Sequence, residues 1–109
     1  MAAGVASSDV VIGSSAALIV SANLTNTLTL MKATAVNYDT VTRYLTIYRV
    51  LPGLSAANSN MIIDALPIAP AATQVLPLAG QARANGQSLQ AKADSASVVN
   101  VNLSYYASA

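Results

Sequence analysis

Two runs near the C-terminus constrain the fold more than any other part of the chain. Leu89-Gln90-Ala91-Lys92-Ala93 and Val99-Asn100-Val101-Asn102-Leu103 alternate apolar and polar residues without a break. In an extended strand successive side chains point to opposite faces, so each run presents one apolar and one polar face. A helix would scatter the same residues round its circumference. The Asp94-Ser95-Ala96 break between the runs, with the turn pair Asn85-Gly86 before them, predicts an antiparallel hairpin with one face on a core.

The rest of the chain repeats this pattern at short range. Residues 1–15 are small and polar with no sustained periodicity, which predicts a flexible N-terminal arm. Ala16 to Ser21 is a short apolar run and Ala22 to Asn26 an Asn-rich turn. Thr27 to Asn37 begins with clean alternation and loses its phase near Met31-Lys32, the mark of either a bulge or a strand apolar on both faces. Val41 to Leu51 is rich in β-branched and aromatic residues and is the strongest strand signal. Leu45 and Ile47 on one of its faces are expected in the core. Tyr44 and Tyr48 on the other are expected at an interface or in a second packing layer, because a Tyr ring is apolar but ends in a hydroxyl.

Pro52 to Asn60 is a loop, and Met61 to Ile68 is a strand whose Pro67 places it at a sheet edge or a strand end. Thr73 to Leu78 is extended, and Gly80 to Gly86 is an irregular crossover or a single helical turn. The predicted fold is therefore all-β: one antiparallel, jelly-roll-like β-sandwich of about seven to eight short strands at roughly ten-residue spacing. The sandwich is expected over 16–109, with the arm over 1–15.

Composition narrows the function. The chain of 109 residues has no His and no Cys, and its only acids are Asp9, Asp39, Asp64 and Asp94. Without His it lacks the usual general base near neutral pH and the commonest metal ligand. Without Cys it can form neither disulfides nor thiolate metal sites. The acids sit on four separate segments with no D-x-D spacing, no G-x-S-x-G occurs, and Gly80 to Gly86 lacks the Lys-Ser/Thr of a phosphate loop. The expectation is a protein that is not an enzyme and takes no cofactor or metal.

Partners follow from the surface. Lys32, Arg43, Arg49, Arg83 and Lys92 are scattered, and five separated cations do not form the stripe that a nucleic acid requires. No apolar run approaches the ~20 residues of a membrane helix, and the first residues lack the basic and apolar regions of a secretory signal. Charged residues make up only 8% of a chain that is 54% hydrophobic, against ~25% charged in an ordinary soluble domain. Monomers seldom leave large apolar patches exposed, so subunit contacts are expected. The candidate interface residues are Tyr44, Tyr48, Tyr105 and Tyr106 as anchors, with Arg43 and Arg49 as rim or inter-subunit pairs.

A resemblance runs from Thr27 to Leu103. Tyr48-Arg49-Val50-Leu51-Pro52-Gly53 precedes the loop Ser55-Ala56-Ala57-Asn58, then Ile62-Ile63-Asp64-Ala65-Leu66-Pro67-Ile68-Ala69. Asn85-Gly86-Gln87-Ser88-Leu89-Gln90-Ala91-Lys92-Ala93 follows, ahead of the Val99 strand. This order resembles the small β-sandwich virion proteins of tailed bacteriophages, which run V-P-x-G, I-x-x-x-x-I-A and G-D-S-I-Q-A-x-A before a V-T-V strand. Gln87 stands where the family commonly has Asp, and Leu51 is an extra residue in the V-P-x-G step.

The resemblance implies a structural subunit of a virion assembled in the host cytoplasm: a capsid decoration (cement) protein, or alternatively a neck or tail component. Its partners would be copies of itself, as a homo-oligomer such as a trimer, and the major capsid or other virion proteins. A reading from a different class is a carbohydrate-binding sandwich in which exposed Tyr residues stack on sugars.

Overall fold

The computed structural model describes residues 4–20, 27–80, 82–83 and 87–107. They form nine strands: β1 (Gly4–Ile12), β2 (Ala17–Val20), β3 (Leu28–Asn37), β4 (Arg43–Val50), β5 (Met61–Ile68), β6 (Ala72–Val75), β7 (Ala82–Arg83), β8 (Ser88–Ala93) and β9 (Val99–Ala107). One 3-10 turn, Asn58–Asn60, precedes β5. The strands build two sheets. Sheet I has the order β1-β9-β3-β6, with β7 on the same side of β3 as β6, and sheet II has the order β2-β8-β4-β5. Every pairing is antiparallel.

With the two-residue β7 set aside, this order is that of a jelly roll. The outermost pair is β1–β9; inside it nest β2–β8, β3–β6 and β4–β5, alternately in sheet I and sheet II. The chain thus behaves as one long hairpin rolled up, with β9–β3 and β8–β4 closing each sheet. The all-β sandwich expected from the alternation is what forms.

The core lies between the inner faces. Ala33 and Ala35 of β3, Leu45 and Ile47 of β4, Leu89 and Ala91 of β8, and Val99, Val101 and Leu103 of β9 are all buried there. Burying a Leu, Ile or Val side chain fully contributes about 1.5–3 kcal/mol each, so these positions dominate the stability. The loss of phase in β3 is a bulge. Its register with β9 shifts between Leu30 and Lys32, Met31 is left exposed, and the buried positions move from Leu28 and Leu30 to Ala33, Ala35 and Asn37. Pro67 lies on β5, which is an edge strand of sheet II, as its missing N–H requires.

Three expectations need correction. Leu89–Ala93 and Val99–Leu103 do not form a hairpin, because β8 belongs to sheet II and β9 to sheet I. Their apolar faces meet across the core instead of lying side by side. Residues 4–12 of the expected arm 1–15 are not free: Gly4–Ile12 pairs with β9 over nine consecutive positions, so among the described residues the sandwich already includes Gly4 and does not start at residue 16. A ladder is made by backbone groups, and Ile12 is buried while Val10 packs against the core; small residues elsewhere in the strand do not prevent it. In the crossover, Ala82–Arg83 is a short strand against Leu28–Thr29, and the Asn85-Gly86 turn lies outside the described residues.

Candidate functional site

The connections β1–β2, β3–β4, β5–β6 and β8–β9 share one end of the sandwich, where backbone hydrogen bonds link the first, second and fourth. Tyr38 N–H donates to the Val98 carbonyl at 3.0 Å, Ser97 N–H to Ile12 at 3.0 Å, and Ala93 N–H to Gly13 at 2.9 Å. Beneath them Asn37 is fully buried. Its amide donates to the carbonyls of Val41 and Ile68, both at 2.9 Å, and its Oδ1 accepts from Asp39 N–H at 3.0 Å. One side chain therefore ties the end of β3 in sheet I to the end of β5 in sheet II.

Above Asn37 sits the main charge cluster. The Arg43 Nε and Nη2 donate to Asp39 Oδ2 at 2.8 and 2.6 Å, and its Nη1 lies 3.7 Å from Asp94 Oδ2. Asp39 Oδ1 accepts from Thr40 N–H at 2.7 Å. That backbone bond, with Arg43 second, holds the Asp39 carboxyl below the usual carboxylate range. The Asp39 hydrogen bond in turn raises Arg43 above its ordinary value. Asp94 also exchanges two bonds with Tyr44: Tyr44 N–H donates to Asp94 Oδ1 at 3.1 Å, and Asp94 N–H donates to the Tyr44 carbonyl at 3.2 Å.

Beside this cluster the outer face of sheet II holds an open recess of about 300 Å³, lined by Tyr44, Thr46, Lys92, Asp94, Ser14 and Ala65. Ala65 occupies the left-handed region at φ 47°, where β5 loses its register with β4. Its N–H is received by Thr46 Oγ1 at 3.1 Å, which helps hold an alanine in a conformation disfavoured by about 1–2 kcal/mol. A second recess of about 260 Å³ at the opposite end is lined by Arg49, Leu51, Asn60, Met61, Ile62 and Gln87, among others. Among the described residues there is no cluster of three or more His, Cys, Asp or Glu that could hold a metal ion.

The six candidate interface residues do not gather in one place. Tyr44 and Tyr106 are each 46% exposed, but on the outer faces of different sheets. Tyr48 and Tyr105 are buried, at 4% and 7% exposure, so the role of exposed anchor is withdrawn for both. Tyr105 packs in the core between the sheets, because it continues the buried phase of Val99, Val101 and Leu103. Tyr48 lies on β4, flanked in register by Gln90 of β8 and Met61 of β5, and is buried without belonging to the core cluster between the sheets. Arg43, expected as a rim or inter-subunit pair, has its charge matched by Asp39 and Asp94 of its own chain. Arg49 is half-buried at the second recess.

Sequence reasoning missed the residues that the surface does present. Val75, Leu54, Val11, Tyr38, Leu18 and Met31 are each more than half exposed. Only Met31 had a signal, the break of phase that makes a bulge. The outer face of sheet I sets Val11, Val36, Val75 and Tyr106 among polar residues. Register aligns Asp9, Asn102, Thr34 and Val75 in one row, Val11, Asn100, Val36 and Thr73 in the next, and Ser7, Ser104 and Lys32 in a third. No protein-family model matches the chain, and neither a curated protein nor a solved structure matches it significantly.

Proposed function

We propose that the chain is a non-enzymatic structural subunit of a tailed-phage virion, acting as a capsid decoration protein that binds the particle and its own copies through broad surface contacts. The observation that carries this reading is the exposed surface itself. Ten large apolar side chains are 46% to 63% exposed on a chain with only five cationic and four acidic residues. Apolar groups exposed singly are ordinary on a monomer; what favours cover by neighbours is their number on a chain so poor in charge. Its exposed apolar groups are spread over both sheets and both ends, which suits a lattice subunit with several neighbours better than a single pocket. The jelly-roll order recurs in capsid domains and in lectins alike; fold alone selects neither, and the resemblance over Thr27 to Leu103 tips the reading to the virion.

The recess at Tyr44 favours the second reading, a carbohydrate-binding sandwich. A half-exposed ring beside Lys92, Asp94 and Thr46 offers one stacking surface with polar groups at its margin. The exposed apolar residues outside that recess have no role in this reading, which ranks it second.

The test is mass spectrometry of particles purified from cells that produce the chain, followed by imaging of the labelled protein on them. The virion reading expects many copies per particle at regular positions on the head. Positions at the neck or tail would move the subunit within the virion, and absence from particles would overturn the reading. Binding to immobilised glycans that the Tyr44→Ala variant loses would establish the second.

A further inference from the structure

A sheet edge is an unfinished hydrogen-bonding template, and proteins that stay apart blunt their edges with short strands, bulges, prolines or charges. Three sides of this sandwich are blunted in these ways. On sheet II, β2 has four residues and a register shift between Leu18 and Val20. The other side of that sheet, β5, carries Pro67, two register shifts and the left-handed Ala65. On sheet I the side opposite β1 is divided between the four-residue β6 and the two-residue β7.

The fourth side is different. β1 has nine residues with no Pro and a single charge, Asp9, on its exposed face, a span of about 30 Å at the rise of an extended chain. Its register with β9 runs from Gly4 to Ile12 without a shift, and among the described residues no strand pairs with its other edge.

We propose that the free edge of β1 docks a second copy of this chain, β1 against β1 about a two-fold axis, so that the two copies of sheet I become one continuous sheet. This rests on the assembly reading above and names the surface used. What such an edge recognises is an extended backbone, and a two-fold axis supplies one in antiparallel orientation with each copy donating and accepting equally.

The register follows from Asp9, the only charged residue on the strand. An axis through Asp9 would set two carboxylates directly opposite each other, which is destabilising. An axis through Ser8 sets Asp9 opposite Ser7 of the second copy, and both residues are exposed in the single chain. A serine hydroxyl donates to a carboxylate there twice, once on each side of the axis. The flanking β9 residues in register, Asn102 and Ser104, add no charge.

The chain contains no Cys, which makes the register testable by cross-linking. Residues directly opposite across an antiparallel pair have Cα atoms about 4.5–5.5 Å apart, within disulfide reach. Ser7→Cys and Asp9→Cys proteins, distinguished by tags of different length, are mixed and mildly oxidised, with the exposed Thr40→Cys as a collision control. Held partners react at millimolar effective concentration, so the mixed Ser7–Asp9 disulfide should form at least about tenfold faster than the control dimer at micromolar protein. Circular dichroism confirms that each variant keeps the sheet, and light scattering is run on the unsubstituted chain in parallel. An oligomer without accelerated cross-linking overturns the β1 interface and leaves the assembly reading standing. A monomer overturns both.

Discussion

The Asn37 amide reaches the Ile68 carbonyl at 2.9 Å, joining the last residue of β3 in one sheet to the last residue of β5 in the other. Asn37 has no exposed surface, so no water replaces this bond if it is lost. Substitution Asn37→Ala leaves the buried Ile68 carbonyl without its donor, at a cost of about 1–3 kcal/mol for an unsatisfied buried group, and also removes the bond to the Val41 carbonyl at the surface. Chemical denaturation should show a lower midpoint with an unchanged slope. Asn37→Asp should be worse at pH 7, because its carboxylate would face two carbonyl oxygens, and it should recover part of the loss at pH values low enough to protonate it. Equal stability of the three proteins would remove Asn37 from its structural role.

The Asp39–Arg43 pair gives an acid-side dependence. The folded Asp39 carboxyl lies below its ordinary value, through Thr40 N–H first and Arg43 second. Its contribution is therefore complete above the unfolded carboxylate pKa of about 3.9 and declines as pH falls through the lower folded value. Arg43 is shifted upward, so its share stays in place throughout the ordinary range. Denaturation midpoints measured between pH 6 and pH 2 should fall less steeply for Asp39→Asn than for the unsubstituted chain. The effect is small, because the pair is partly exposed. Parallel curves for the two proteins would contradict it.

The four tyrosines outside the β3–β4 turn should divide cleanly by position. Tyr105 is buried in the core and Tyr48 is buried on β4, so alanine at either should destabilise by about 3–5 kcal/mol, as for other large buried aromatics. Tyr44 and Tyr106 are nearly half exposed, and alanine there should move stability by only about 0.5 kcal/mol while weakening attachment to particles. Thermal unfolding measures the first pair and particle co-sedimentation the second. A large stability loss at Tyr106, or normal attachment of the Tyr44→Ala/Tyr106→Ala double variant, would contradict this division.

Much of the architecture was legible because alternation records which side of a strand is buried. It marked Leu45, Ile47, Val99, Val101 and Leu103 as core, and the break at Met31 marked the β3 bulge. Alternation does not record which strand lies alongside. β8 and β9 are close in sequence and both half-apolar, yet they belong to opposite sheets, because nested pairing in a jelly roll is decided by contacts distant along the chain. β1 was unreadable for a related reason: its pairing is made by backbone groups, which every residue except proline supplies.

The interface candidates were chosen by residue type, and type does not report depth. Tyr44 and Tyr48 share a strand face but differ in cover, since Tyr48 lies at the middle of β4 between β8 and β5 while Tyr44 lies beside the open recess. Arg43 found its partners at home for a local reason. Asp39 is four residues away across the β3–β4 turn, close enough to engage the guanidinium before any neighbour can.

The central claim is that this surface is completed by other subunits, and multi-angle light scattering on the purified chain at micromolar concentration tests it most directly. The account predicts a discrete species at a small multiple of the 11.1 kDa chain mass, persisting on dilution through the micromolar range. A stable, soluble particle of 11.1 kDa at every concentration would contradict it.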